Sequence, residues 1–408
     1  MKFPILIPNI FNYPFTYESD LKLRIGDFVE VPFGKSKSIG VVWNEFEKKN
    51  NKNFKIKKII RKLEIPSLKK DTLKFLNWFS NYNIVPKGMA LKLVLLSGKP
   101  ARLFEEKFYQ NFDLKFKKNT IKLTSEQKKA LDQINLSNKK FNVHVLQGTT
   151  GSGKTIVYFE ALKEILKKNH QGLILLPEIG LTSQFENKFI EFFGFKPAIW
   201  HSGITKKNKE IIWSGIISKK IKVVIGARSS LFLPFRNLGL IIVDEEHETS
   251  YKQQEPSPRY NARDAAVYLS KLNNSKVVLG SATPSIESTS NAKNDKYGYV
   301  KLKERFGNVK MPNIIPLDMR SEIKNSFSSI FSEKLVEEVN NSLGLGKQII
   351  LFRNRRGYSP QWICDSCGQN MMCDNCDVSL TYHLSSNMLK CHYCGFSSKA
   401  ESKCNSCG

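Results

Sequence analysis

At 408 residues the chain is too long for one ordinary domain, and roughly two to four are expected. Lys and Arg number 64 against 37 for Asp and Glu, and this net charge of +27 points to a polyanion, either nucleic acid or an acidic membrane surface. No apolar run approaches the ~20 residues of a membrane span; the N-terminal MKFPILIPNIF is broken by prolines, unlike a secretory leader. All eight cysteines fall between Cys364 and Cys407, which excludes a disulfide framework distributed through the chain. The expectation is a soluble, intracellular protein with no membrane partner. The abundance of Lys, Asn and Ile means that charge alone does not choose the partner.

The first stretch, residues 1–98, opens with Phe11, Tyr13, Phe15 and Tyr17 among prolines. Rings beside lysines can stack on bases, although the spacing alone favours packing into a small β core. VPFGKSKSIGVVW (31–43) reads as two β-prone runs joined at Gly34 and Lys35, a hairpin. LKKDTLKFLNWFSNY (68–82) reads as an amphipathic helix. Residues 99–122 are short and charged, a connector. In LTSEQKKAL (123–131), Thr124 or Ser125 is a helix N-cap candidate, and the Gln127 amide has the donor and acceptor needed to pair with adenine.

FNVHVL (141–146) is the size of a buried strand, and IVYFEALKEILKK after it has helical spacing. Between them QGTTGSGKT carries the pattern G-x-x-x-x-G-K-[ST] at Gly148, Gly153, Lys154 and Thr155. Gly148, Thr149, Thr150, Gly151, Ser152 and Gly153 form a loop able to wrap backbone N–H groups round a phosphate at a helix N-terminus. Lys154 would reach the β- and γ-phosphates and the Thr155 hydroxyl would hold Mg²⁺. GLILLP, KVVIGA, GLIIVDEEH and KVVLGSATP then alternate with helical stretches, as in a parallel sheet covered on both faces. Ligands of such sheets sit at the carboxyl ends of the strands. Asp244, directly after a strand, is placed to hold Mg²⁺, and Glu245 to deprotonate an attacking water.

GTTGSGKT, DEEH and GSATP in that order resemble motifs I, II and III of superfamily 2 helicases. LLPEIGLTSQ (175–184), VIGARSSLFLPF (224–235), DEEHETSYKQQE (244–255), RYNARDAAVY (259–268) and FRNRRGYSP (352–360) resemble, more closely, the PriA family of bacterial replication-restart helicases. The resemblance implies an α/β RecA-like P-loop helicase lobe at 123–300, an N-terminal β-rich 3′-DNA-binding domain at 1–98, and the start of a second lobe at 301–360 (a helix, then the strand QIILF). A cysteine-rich double zinc module at 361–408 would be inserted in that second lobe. It also implies an ATP-dependent 3′→5′ DNA helicase acting on stalled forks, with forked and single-stranded DNA, primosome proteins and single-strand-binding protein as partners, in a bacterial cytoplasm at the nucleoid. Residues 251–264 match the family's aromatic-rich loop, where Tyr251, Lys252, Gln253, Arg259 and Tyr260 can stack on bases or pair with phosphates. Arg228, Arg355 and Arg356 are further backbone contacts. Phe15, Tyr17, Gly34, Lys35 and Lys57 carry over as the pocket for a 3′ end, with Thr16 where the family often has an acid. Only residues 99–122 separate the first domain from the lobe, too few for the winged-helix module of better-known members.

Four C-x-x-C pairs occur: Cys364/Cys367, Cys373/Cys376, Cys391/Cys394 and Cys404/Cys407. Each suits two vertices of a zinc tetrahedron, so eight thiolates make two closed, structural Zn²⁺ sites. Spacing does not choose the pairing. The resemblance implies nesting, with Cys364, Cys367, Cys404 and Cys407 on one ion and Cys373, Cys376, Cys391 and Cys394 on the other, leaving His383 and His392 spare. The later second-lobe motifs of the family have no counterpart in these 408 residues. The expectation is therefore a fragment of a longer protein or a member that cannot translocate. Against the helicase reading stands a non-hydrolysing fork-binding module that recruits partners; a restriction-type double-strand translocase is the weakest reading.

Overall fold

The computed structural model describes residues 1–46, 56–95, 103–114, 122–136, 141–177, 183–255, 257–305, 312–319, 331–352, 361–384, 386–400, 403–404 and 406–408. Met1–Lys310 and Met311–Gly408 form two compact units.

In the first unit, β1 (Lys2–Leu6), β2 (Phe15–Glu18), β3 (Phe28–Phe33), β4 (Ser36–Val42), β5 (Lys57–Lys58) and β6 (Arg61–Lys62) make one sheet in the order β5-β2-β1-β4-β3-β6. The expected hairpin is the β3–β4 pair, with Phe33 opposite Ser36 and the turn at Gly34 and Lys35. Alternation along β3 sends Val29 and Val31 to one face and Phe28 to the other. Helices α1 (Lys70–Tyr82) and α2 (Lys87–Val94) follow.

Next come α3 (Ser125–Leu136), β7 (Asn142–Gly148), α4 (Lys154–Lys167), β8 (Gln171–Leu175), α5 (Ser183–Phe193), β9 (Ala198–Trp200), α6 (Lys206–Ile217), β10 (Val223–Gly226) and β11 (Leu238–Val243). The short pair β12 (Lys252–Gln253) and β13 (Tyr260–Asn261) precedes α7 (Ala262–Asn273), β14 (Lys276–Ser281), α8 (Ile286–Lys293) and β15 (Gly298–Leu302). Seven strands join in the order β15-β7-β14-β11-β8-β10-β9, every neighbour parallel. The near-continuous apolar runs of the inner strands β8, β10, β11 and β14 are buried on both faces, as a doubly covered sheet requires, whereas the edge strand β15 alternates. Leu146, Ile174 and Ile242 face a core made with α3, α4 and α5; Val143, Leu173 and Ile241 face one made with α6 and α7.

That second core does not stop at the sheet. Phe28, Trp43, Phe75 and Phe79 belong to it together with Trp213 and Phe232. Phe28 meets Trp213 edge-on at 5.8 Å, Phe79 meets Phe232 at 5.0 Å, and Trp213 Nε1 donates to the Val94 carbonyl at 2.8 Å. The N-terminal sheet and the parallel sheet thus share one interior. The expected connector also docks, since buried Tyr109 in its Glu106–Phe112 turn lies 2.7 Å from Ser214 Oγ. A lobe boundary at residue 300 would cut through β15.

In the second unit, α9 (Glu333–Gly344) starts at Ser332, whose Oγ accepts from Leu335 N at 3.1 Å. The expected strand QIILF is a correction: its described residues lie outside every strand, and Ile350 and Phe352 are exposed. A strand needs a bonded neighbour, and an apolar run alone does not supply one. Strands β16 (Met372–Cys373), β17 (Cys376–Ser379), β18 (Thr381–His383), β19 (Met388–Lys390) and β20 (Ser397–Lys399) form a two-stranded and a three-stranded sheet around Leu380 and Leu389. Among the described residues no helix is long and apolar enough to cross a membrane.

Candidate functional site

Strand β7 runs into the glycine loop, and α4 leaves it at Lys154. Gly151 and Gly153 take φ of 84° and 85°, the left-handed region where a side chain would be strained. Lys154 is buried and its Nζ donates to the Gly148 carbonyl at 2.7 Å, with Glu245 Oε1 3.9 Å away. The ammonium therefore bridges the loop and the acidic turn. Thr149, Thr150, Gly151, Thr155, Asp244 and Glu245 line a cavity of about 660 Å³ there, within the ~300–1,000 Å³ typical of small-molecule sites. Among the described residues the buried Thr149 hydroxyl on its wall has no hydrogen-bond partner, leaving a donor for a ligand oxygen. Loop amides, an ammonium, hydroxyls and two carboxylates fit a nucleoside triphosphate with a divalent cation.

Asp244 reaches the cavity because β11 ends one residue earlier, its N–H donating to the Leu175 carbonyl of the next strand at 3.0 Å. Strand β14 lies between β7 and β11. Tyr158, on α4, reaches past it to donate to Asp244 Oδ1 at 2.9 Å. Gly280 makes the passage possible, because a Cβ there would lie 1.5 Å from the Tyr158 hydroxyl oxygen. Burial raises the Asp244 carboxyl, while the Tyr158 hydrogen bond works in the opposite direction. Burial, and then the Asp244 charge, push the Tyr158 phenol far up, so it remains a donor. From the other side, Tyr251 Oη lies 2.6 Å from the Asp244 carbonyl and 3.0 Å from that of Leu175.

Glu245 turns out of the strand at φ 46° and faces the cavity, but Glu246 turns inward. Its carboxylate accepts from Ser285 N at 2.7 Å, from Ser288 Oγ at 3.0 Å and from Arg263 Nη1 at 3.1 Å, fixing the start of α8. His247 Nδ1 lies 2.7 Å from Ser281 Oγ, which also accepts from Thr283 N at 2.9 Å. Acidic turn and SAT turn are thus joined by direct hydrogen bonds. Sequence reasoning missed Tyr158, Glu246, Arg263 and Gly280. The only available signal was a third acid next to two useful ones.

Gln127 is buried outside the cavity wall. Its Oε1 accepts from Thr124 N at 3.0 Å and its Nε2 donates to the Ser152 carbonyl at 3.2 Å, so here it braces the glycine loop. Among the DNA candidates, the N-terminal ones gather around the β3–β4 turn. Lys57 Nζ donates to the Gly34 carbonyl at 3.4 Å, Lys35 is exposed on the same turn, and Phe15 joins Phe11, Tyr13 and Phe33 in an aromatic cluster. Tyr17 is the exception. It is buried, donates to the Pro32 carbonyl at 3.0 Å, and burial pushes its phenol up to about 12. In the loop after the acidic turn, Lys252 and Arg259 line a surface hollow, while Arg228 Nη1 donates to the Ser250 carbonyl at 2.8 Å and so holds the loop. Tyr251 and Tyr260 are corrections. Both are buried, Tyr260 against Phe79 and Phe232, so neither ring offers a face to a base. Arg355 and Arg356 lie outside the described residues.

In the second unit, Cys364, Cys367, Cys404 and Cys407 converge, as do Cys373, Cys376, Cys391 and Cys394, the sulfurs of each set within 4.8 Å of one another. This is the nested pairing. Backbone N–H groups of Cys367 and Ser366 pull the Cys364 thiol down to about 6, and that of Phe396 pulls Cys394 to about 7. Each set thereby contains a sulfur ready to ionise, and four thiolates are the donor set of a closed structural zinc site. His383 and His392 are outside both sets, with their Nε2 atoms 3.0 Å apart.

Comparison with known proteins agrees with this layout. A DEAD/DEAH box helicase model matches residues 124–292, a 3′DNA-binding domain (3′BD) model residues 4–96, and a PriA DNA helicase Cys-rich region (CRR) domain model residues 373–399. The replication restart protein PriA of Rickettsia conorii is 42% identical over 408 residues, covering 99% of this chain and 61% of that protein. PriA of Bacillus subtilis is 40% identical over 321 residues, 78% of this chain and 40% of that protein. Among solved structures, RecG bound to a three-way DNA junction matches with a TM-score of 0.36 at 24% identity, covering 59% of this chain and 30% of that one. The chain thus spans about three fifths (61%) of the length of its Rickettsia relative. The alignment, 42% identical as a whole, spans the N-terminal sheet, the parallel sheet and the thiolate clusters, and the chain belongs to the PriA family.

Proposed function

We propose that the chain supplies the nucleotide-binding lobe, DNA-end domain and zinc platform of an ATP-dependent 3′→5′ DNA helicase that engages stalled replication forks and starts primosome assembly. The observation that supports this most is the meeting of Lys154 with Asp244 and Glu245 around one cavity at the carboxyl edge of a parallel sheet. In this reading the loop amides and Lys154 hold the β- and γ-phosphates, Thr155 and Asp244 hold Mg²⁺, and Glu245 takes the proton of the attacking water. Gln127 contributes by steadying the loop. Phe15, Gly34, Lys35 and Lys57 receive the 3′ end of a strand, and Lys252 and Arg259 contact the single-stranded backbone. The two thiolate sets each hold a structural Zn²⁺ and present a surface to DNA or to primosome and single-strand-binding proteins. We assign residues 1–98 to DNA-end binding and 361–408 to the zinc module, in the cytoplasm of a bacterial cell.

The test is DNA-stimulated ATP turnover. Lys154→Ala and Glu245→Gln should abolish it while leaving forked-DNA binding in place. Forked-DNA binding with no turnover in the unaltered chain would instead make it a partner-recruiting module. Equal affinity for forks with free and blocked 3′ ends would remove the end-binding role of residues 1–98.

A further inference from the structure

Helix α1 ends in an aromatic stack that the reading above does not use. Tyr82, its last residue, lies 4.9 Å from Trp78 at an interplanar angle of 19°, and Trp78 lies 4.1 Å from Tyr268 of α7 at 13°. The inner two rings are half-buried and tie the N-terminal domain to the parallel-sheet domain, but Tyr82 is 62% exposed. The chain then turns through Asn83 and Ile84. Ile84 has φ 53° and is 92% exposed. A β-branched residue in the left-handed region is strained, and at this exposure burial does not offset the cost. Strained backbone of this kind clusters at binding and catalytic sites. Asn83 forms one wall of a hollow of about 620 Å³ whose other walls include Lys252, Gln253, Gln254, Glu255 and Arg259. Two cations and several amides face one carboxylate there, the balance a phosphodiester backbone prefers over an acidic or apolar surface.

We propose that Tyr82 is a stacking platform for single-stranded nucleic acid, on which a nucleobase extends the ring stack while the neighbouring hollow takes the backbone between Lys252 and Arg259. A flat ring with an open face recognises the π-face common to all bases, and exposed Ile84, two residues on, would offer an apolar contact to the sugar. The platform belongs to the N-terminal domain and the hollow mostly to the loop after the acidic turn, so one strand would touch both. This inference deepens the DNA-binding reading and rests on it.

The test uses the full chain and oligonucleotides carrying 2-aminopurine, whose fluorescence is quenched on stacking. The unaltered chain should bind and quench. Tyr82→Ala should lose about 5- to 160-fold in affinity, the range for one stacked base, and lose the quenching, whereas Tyr82→Phe keeps both. Ile84→Gly should melt at a higher temperature, its backbone strain relieved, yet bind the oligonucleotide more weakly. ATP binding by Tyr82→Ala, unchanged, reports that the fold is intact. Tyr82→Ala binding and quenching like the unaltered chain would overturn the inference and give the surface to a protein partner, with the DNA-binding reading untouched. Failure of the unaltered chain to bind any single strand overturns that reading and this inference with it.

Discussion

The contact between Gly280 and Tyr158 gives the sharpest test of how the Asp244 carboxylate is set. In Gly280→Ala the new Cβ would lie 1.5 Å from the Tyr158 hydroxyl oxygen and 2.6 Å from the ring carbon that bears it. Neither distance is tolerable, so the phenol must swing away and release Asp244 Oδ1, now 2.9 Å from it. Overpacking of this kind costs about 1–3 kcal/mol, and losing a hydrogen bond to a charged group about 1.5–3 kcal/mol. The sum, roughly 2.5–6 kcal/mol, should lower the melting temperature by roughly 4–9 °C in a unit of this size. Tyr158→Phe removes only the hydrogen bond and should cost about 1–3 kcal/mol. The double variant no longer has the shortest contact, so it should be more stable than the two single losses added, by about 1 kcal/mol or more. Thermal melts of the four proteins, with calorimetric titration of Mg²⁺ and a non-hydrolysable ATP analogue, measure both parts. Strict additivity, or a Gly280→Ala protein as stable as its parent, refutes the steric argument.

Burial holds the Asp244 carboxyl above the ordinary aspartate range, with Tyr158 opposing the rise. The native state therefore takes up this proton more readily than the unfolded chain, and the group subtracts stability as pH rises from the usual aspartate value through its own raised one. Mg²⁺ needs the anion, so Mg²⁺-dependent nucleotide affinity should fall on acidification, and Tyr158→Phe should move that fall to higher pH; an unshifted profile counts against the proposed bond. Metal analysis should return two zinc per chain, with Cys364→Ser and Cys373→Ser each depleting a different site; one zinc in the unaltered chain breaks the nested arrangement. Glu246→Ala removes the one buried carboxylate that Arg263 meets, leaving it the more exposed Asp264 and Glu287, and should cost about 1.5–3 kcal/mol by denaturant titration; an effect below about 1 kcal/mol refutes that account.

The glycine loop, the acid after β11 and the thiolate pairs were legible because each is local: a few adjacent residues dictate one geometry whatever lies around them. The parallel sheet was legible for a related reason, since strands buried on both faces read as unbroken apolar runs. What remained hidden depended on the third dimension. Glu245 and Glu246 are chemically alike and adjacent, and only the left-handed turn at the first sends one to the cavity and the other to Arg263. Tyr251 and Tyr260 sit among lysines and glutamines, where an exposed ring and a buried one look the same. Tyr260 is buried against Phe79 and Phe232, and Phe79 lies far away in sequence, while the Tyr251 hydroxyl is drawn in by the Leu175 and Asp244 carbonyls. The strands β9 and β15 are too short, or too mixed in polarity, to announce themselves. Gly280 reads in the sequence only as part of a strand; nothing adjacent to it reveals that a tyrosine crosses over it.

The interior shared by Trp213, Phe28 and Phe79 has a mechanical consequence. Relative sliding of the N-terminal sheet and the nucleotide-binding sheet would have to pull an indole out of its socket and break its bond to Val94. A strand tip gripped by the former would stand at a constant distance from the phosphates gripped by the latter, like a vice bolted to the engine block. Under the proposed function, any stroke that ATP drives would then be taken up by other joints.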